Sequence, residues 1–311
     1  MSAIRINGIR VGHQMFHLRQ YPEKAAPDDL LTHSLARDKY NLPCIGLERS
    51  DFGHALSCCL EGELPSGHPV QPVCMISVYP HGSKSETLGY LLALFGRHGI
   101  PFSHMVSSNA MISFVVAQEE KPNVLTMLEQ TFDLPPTHTP YEPSFKEETE
   151  EFVKKRYQET KAYFQEKRIK TYGFSLASGL DLISISCSPD GLASAGTAIQ
   201  ELDVRFEFSM AMVHEERCHF YCLTRAEEPI PLPADRSAEF RVESGTADLV
   251  TFHGPHFGDR FGIFNAAAVC LDVAGLDVTL AGCTGASVSL VLPEGQGEAS
   301  LPALEKGFET P

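Results

Sequence analysis

A chain of 311 residues, 43% apolar and 21% charged, has the composition of a globular protein and length enough for two domains or several small ones. Its formal charge of −15 repels phosphate backbones and anionic lipid, so neither nucleic acid nor a membrane is an expected partner. No apolar run reaches the length of a membrane span, the opening residues lack a secretion-signal pattern, and the nine cysteines show no CxxC spacing; together these predict a cytoplasmic protein with reduced, buried thiols.

Residues 4–12, IRINGIRVG, alternate apolar and polar and read as a strand interrupted at Gly8, with a second strand over 15–18. Asp28 or Asp29 is placed to cap a helix that runs through Asp38 with Leu30, Leu31 and Leu35 on one face. Strands over 44–48 and 54–60, joined by a turn at Ser50, Asp51 and Gly53, close this first unit. The stretch 74–132 follows a clear order: an apolar strand, a polar loop, and a helix from near Ser85 that carries Leu88, Leu91, Leu92 and Phe95 and closes at Gly99. A strand, a turn, the strand MISFVV and a second helix with Leu125, Leu128 and Phe132 complete it.

Residues 134–142, LPPTHTPYE, hold three prolines and read as a linker or surface loop. Residues 146–167 place acidic side chains first and basic ones last, which agrees with the helix dipole and predicts one long exposed helix between two halves. Its basic cluster, Lys154, Lys155 and Arg156, is a solvated face. IKTYGF at 169–174 then repeats IRINGI at 4–9 with glycine in the same place. A strand over 181–186, a helix over 192–202, strands over 205–213 and 219–224 and a short strand over 240–242 follow. From Leu249 the pattern of 74–132 returns: Gly99 falls on Gly275, Ser113 on Ser289, Leu128 on Leu304 and Phe132 on Phe308, every pair 176 positions apart. A constant offset over that many positions marks an internal repeat.

The residues GIPFSHMVSSNAMISFVV and LEQTF in one copy, and GDRFGIFNAAAVCLDVAGLDV, SVSLVL and LEKGF in the other, resemble ACT domains, and most closely the tandem ACT region of aspartate kinases. Gly262 matches that family's glycine before the first helix, where Glu86 stands in the other copy; Leu276-Asp277-Val278 matches its turn, where Pro101 departs from it. The resemblance covers 73–133 and 248–309 well, the other units less, and 137–168 not at all. It implies an α+β fold of four ferredoxin-like βαββαβ units, with antiparallel sheets and helices on one face. The units are expected at 1–66, 67–136, 169–230 and 231–311, with 137–168 as the linker helix. A Lys-Phe-Gly-Gly-type phosphate loop is absent from the sequence, as is a GxSxG, HExxH or P-loop motif, so a regulatory portion without the enzyme is expected.

The candidate site is the loop from His253 to Arg260, between a strand and a helix start. Free N–H groups there suit a carboxylate, and Gly254 and Gly258 let backbone approach a ligand. Asp259 can hold an ammonium and Arg260 a second anionic group. The resemblance adds Cys283, Thr284 and Asp277 to this site. The matching loop of the other copy offers His81, Ser83 and Ser85, with the turn Ser107, Ser108 and Asn109. His253 and His256 lack companion ligands at zinc spacing, so neither a metal nor another cofactor is expected. The function expected is that of a non-catalytic regulatory protein that binds a small effector, an amino acid, between paired units. It is expected to form a homo-oligomer and to act with an enzyme of amino-acid biosynthesis. The alternative, motivated by exposed sheet edges and the acidic surface, is a scaffold or regulatory subunit that pairs with itself or with an enzyme.

Overall fold

The computed structural model describes residues 4, 6–21, 29–61, 70–79, 82–108, 110–135, 168–214, 216–225, 240–255, 257, 261–285 and 287–310. The expected helix over 146–167, with Lys154, Lys155 and Arg156, and most of the proline-rich stretch before it lie outside these residues.

The first half runs β1 (Gly8–Val11), β2 (Met15–Gln20), α1 (Leu31–Arg37), β3 (Asn41–Ser50), β4 (Gly53–Glu61), β5 (Gln71–Tyr79), α2 (Ser85–His98), β6 (His104–Ser107), β7 (Ile112–Ala117) and α3 (Lys121–Thr131). The second half runs β8 (Ile169–Lys170), β9 (Phe174–Cys187), α4 (Leu192–Gln200), β10 (Phe206–His214), β11 (Arg217–Thr224), β12 (Phe240–His253), α5 (Ile263–Val273), β13 (Leu280–Cys283), β14 (Ser287–Pro293), α6 (Gly297–Glu305) and β15 (Phe308–Glu309). The two halves follow the same order, and Gly99 and Gly275, the repeat's marker glycines, take φ of 62° and 70° just past the ends of α2 and α5. Only glycine adopts that left-handed conformation without steric cost.

Two local expectations are corrected. Helix α1 has Leu30 at its N-cap with no side-chain cap of its own; Gln20, at the end of β2, accepts from Leu31 N–H through Oε1 (2.7 Å) and donates through Nε2 to Asp29 O (3.0 Å). Asp29 does not cap the helix, and Asp28 lies outside the described residues; a long amide from the neighbouring strand fills the role. The strand expected over 240–242 is continuous with the next one: β12 runs for 14 residues and pairs with β9 along its length, a bulge between Ala247 and Leu249 taking up the change of register. Asp248 in that bulge is buried, and its carboxylate accepts from the N–H groups of Gly179, Gly295 and Gly297.

Thirteen strands form one antiparallel sheet in the order β1-β5-β2-β4-β3-β13-β14-β12-β9-β11-β10-β6-β7, and β7 also pairs with β5, so the sheet closes on itself. The closure answers the exposed edges expected from sequence: among the described residues, only the four-residue β1 of this sheet stands outside the ring. The two halves join at two places, where β3 pairs with β13 and β6 with β10. β8 and β15 form a separate parallel pair. Helices cover the outer face in two groups. One core lies under α2, α3 and α4; the other lies under α1, α5 and α6.

The inner face is packed as well, by side chains drawn from strands alone, such as Phe208, Met210, Met212, Tyr221, Leu249 and Val291. Gly46 and Gly282 are register partners in β3 and β13, and each leaves room for a large side chain from across the lumen. A Cβ at Gly46 would lie 2.8 Å from Met212 Sδ, and one at Gly282 would lie 2.9 Å from the ring of Phe208. A polar chain also threads the lumen: His17 Nε2 meets Ser57 Oγ at 2.6 Å, Ser57 Oγ meets His104 Nδ1 at 2.7 Å, and His104 Nε2 meets Cys44 Sγ at 3.1 Å. Burial holds His17 down to about 3, with the Arg19 charge adding to it, and depresses His104 in the same way, so both rings are neutral. All nine cysteines are free, and all but Cys270 are buried.

Candidate functional site

Each junction between the halves carries a pair of helices on its outer face, α1 beside α5 over β3–β13, and α2 beside α4 over β6–β10. The α2–α4 seam is sealed. Gly89 and Gly96 of α2 face α4, and Gly196 of α4 faces α2; a Cβ at any of the three would collide with the other helix's backbone. The loop before α2 is sealed too. Ser85 N–H donates to Val204 O (2.9 Å), Ser85 Oγ accepts from Val204 N–H (3.0 Å), and Ser83 O accepts from Phe206 N–H (2.9 Å). Ser85 is fully buried, and Ser83 reaches its bond at a φ of 53°, which costs a residue with a Cβ. Ser107 Oγ accepts from Ser209 N–H (2.7 Å), and Ser108 closes its own turn on Met111. The described polar groups foreseen here are thus bonded to neighbouring backbone. His81 and Asn109 lie outside the described residues.

The α1–α5 seam is open. A recess there is lined by Thr32, Leu42 and Ile45 from the first half and by Phe257, Gly262, Ile263, Phe264, Asn265 and Cys283 from the second. It measures about 330 Å3 with its mouth, and its enclosed part about 20 Å3, which is room for one water. Two buried oxygens at this recess, Thr32 Oγ1 and Asn265 Oδ1, have no hydrogen-bond partner. A buried polar atom without a partner costs about 1–3 kcal/mol, so a pair at one recess points to something that satisfies them. Gly262, at the N-cap of α5 with φ 79°, brings no capping side chain, and the first N–H groups of an α-helix have no intrahelical acceptor. The seam therefore offers donors from the helix start and two side-chain oxygens, in an otherwise apolar lining. Burial pushes the Cys283 thiol up to about 11 against the Gly285 N–H that lowers it, so the group is a neutral thiol and not a nucleophile.

Of the residues foreseen for this site, Cys283 lines the recess and Thr284 follows it, its N–H donating to Ser287 O (3.2 Å). Asp277 precedes β13 at its other end, exposed, its N–H donating to Gln296 Oε1 (3.2 Å), and it is not among the lining residues. His253 O accepts from Tyr172 N–H and Thr171 Oγ1, and a Cβ at Gly254 would collide with Lys170 O, so this stretch is fastened to the segment after β8. His256, Gly258, Asp259 and Arg260 lie outside the described residues. Thr32, Asn265 and Ile45 were missed from sequence because the two sides of the recess lie more than 200 positions apart in the chain. The available signal was Thr32 itself, a polar residue on the apolar face of α1.

No family model matches the sequence, and no curated protein matches it. In structure the chain is similar to an aspartate kinase from Synechocystis, with a TM-score of 0.70 at 14% identity over 99% of this chain and 56% of that one. A ligand-free regulatory subunit of aspartate kinase from Thermus thermophilus aligns over 45% of this chain and 99% of its own, with a TM-score of 0.36 at 16% identity. The resemblance to aspartate kinase drawn from sequence is thus present in the fold, and the chain spans little more than half the length of the Synechocystis protein. No helix among the described residues is long and apolar enough to cross a membrane.

Proposed function

We propose that the chain is a regulatory module that binds a small amino acid in the recess between α1 and α5. The observation that carries this reading is the pair of unpartnered buried oxygens, Thr32 Oγ1 and Asn265 Oδ1, at a place where the two halves meet. The N–H groups at the start of α5 suit the effector's carboxylate, Asn265 Oδ1 accepts from its ammonium, and the Thr32 hydroxyl can serve either group. With an enclosed volume of about 20 Å3 the recess admits an amino acid only when α1 moves away from α5. Binding therefore favours a state in which the seam is parted, which makes the ligand a signal rather than a structural part. The fold shared with the Synechocystis kinase supports this reading, as does the order of strands and helices that the two halves have in common. The module's partner in this reading is a second copy of itself or an enzyme of amino-acid biosynthesis.

Calorimetric titration with each standard amino acid tests the proposal. Heat is expected from one or a few, lost in Asn265→Ala. Silence from all of them, or an Asn265→Ala protein that binds as the wild type does, would sink it.

A further inference from the structure

At the other end of the lumen from the His17 chain, three donors from opposite walls converge. Glu48 of β3, in the first half, receives His214 Nε2–H on Oε2 (3.0 Å) and His219 Nδ1–H on Oε1 (2.7 Å), both from the β10–β11 hairpin of the second half. All three donor atoms lie within 4.8 Å of one another, and none of the three side chains is more than 4% exposed. The two imidazoles stand diagonally on adjacent strands, where Met212 pairs with His219 and His214 with Arg217. Glycine makes the room: a Cβ at Gly53 would lie 2.9 Å from His214 Nε2 and closer still to Cε1.

Charge balance decides what this cluster is for. The ion-pair partners of Glu48 are the two histidines; no lysine or arginine among the described residues pairs with it. A carboxylate in a protein interior is matched by a cation or by a metal ion. Two further groups fix one of its oxygens: Tyr221 Oη–H and Ser50 Oγ–H donate to Oε1 at 2.6 and 3.2 Å. That is the arrangement by which outer groups orient a ligating carboxylate. His214 Nδ1 is buried with no hydrogen-bond partner, so moving the ring proton from Nε2 to Nδ1, as ligation through Nε2 requires, breaks no bond there. Ser50 and Tyr221, which both touch Glu48, also line a recess of about 360 Å3 between Arg49, Phe52, Glu243 and Thr279, so one layer of side chains separates the cluster from it.

We propose that Glu48, His214 and His219 form a divalent transition-metal site of the zinc class, which ties β3 to the β10–β11 hairpin across the lumen. Two imidazoles with one carboxylate select such ions over calcium or magnesium, which take oxygen. Three protein ligands leave a fourth position for water, and the recess beside Tyr221 can supply it. Ligands at about 2.0–2.1 Å in tetrahedral array stand roughly 3.4 Å apart. The present 2.7 and 3.0 Å separations therefore widen by roughly 0.4 to 0.7 Å as the ion takes the place of the two hydrogen bonds.

The test uses the full chain stripped with a chelator. Zinc titration followed by calorimetry and elemental analysis should give one tightly held ion per chain, with a higher melting temperature. Cobalt loading should give the intense visible bands of four-coordinate Co2+ without a thiolate charge-transfer band. Glu48→Gln, which keeps the shape and one accepting oxygen, and His219→Ala should each weaken zinc by at least about tenfold and remove the cobalt bands; Tyr221→Phe should weaken it by about tenfold at most. A wild type that retains no zinc at stoichiometric concentration overturns the site. So does a thiolate band in cobalt-loaded wild type, which needs no variant to fold, or zinc binding that Glu48→Gln leaves unchanged. The outcome is independent of the amino-acid titrations at the α1–α5 recess.

Discussion

The α2–α4 and α1–α5 seams are built by corresponding parts of a repeated chain, yet they have opposite characters. In the first, glycines at 89, 96 and 196 bring two backbones into contact, and Ser83 and Ser85 bond to the segment before β10. In the second, a seven-residue α1 lies beside α5 without such glycines, and two buried oxygens lack partners. The difference teaches that two seams built by corresponding elements can differ in how completely they pack, and the proposed ligand takes the less complete one. One seam holds the halves together, and in the proposed reading the other responds.

The comparison can be broken from beneath, at the lumen both seams share. His17 titrates at about 3 in the fold against 6.5 in the open chain, and His104 is also depressed. Between those limits the unfolded chain binds more protons than the fold does at His17, so stability rises with pH there and is lost as pH falls from 6.5 towards 3, by about 1.4 kcal/mol per pH unit for that ring, and His104 acts in the same direction. Unfolding free energies from urea titrations at pH 7 and pH 5 should differ by about 2 kcal/mol from His17, lower at pH 5, with His104 adding to the loss. Fluorescent labels placed over the two seams should report a single transition; separate transitions would mean that the seams are independent.

Overpacking sharpens the contrast further. Gly89→Val forces a branched side chain into the backbone of α4, and about 3 kcal/mol of destabilisation is expected in urea titrations. Gly262→Ala meets only Ala36 Cβ at 3.3 Å and otherwise suffers from its positive φ, so about 1 kcal/mol is expected. Equal costs would show that the α1–α5 seam is packed as tightly as its counterpart.

Smaller effects should differ in sign. Ser85→Ala leaves Val204 N–H without its acceptor and should cost about 1 kcal/mol. Thr32→Val removes a hydroxyl that has no partner and should stabilise the ligand-free protein by up to about 1 kcal/mol while weakening the amino acid. A destabilised Thr32→Val would show that its hydroxyl already has a partner, an ordered water for example.

The repeat was legible because it is written in local terms. Gly99 and Gly275 end helices wherever the chain goes, and the 176-residue offset carries strand and helix periods with it. The strand from Phe240 to His253 was less legible, since its two ends differ in pattern and only a continuous partner, β9, makes them one element. Of the residues lining the α1–α5 recess, the sequence singles out Cys283 and Gly262 but not Thr32, which lies 230 and 251 positions before Gly262 and Cys283. Histidines invite the same lesson. His253 and His256 stand out by their short spacing, whereas Glu48 lies 166 positions from His214 and only the fold brings it to the hairpin.

What the sequence determined by itself, then, was the order of elements, the doubling of the pattern and the buried thiols, because hydrophobic period and turn chemistry act over a few residues. What only the tertiary structure decided was the closure of the sheet, which junction stayed open and which polar groups met in the lumen. Those depend on pairings such as β3 with β13 and β6 with β10, made by residues more than 100 positions apart, where the fit of one wall against the other chooses the partner and no local preference does.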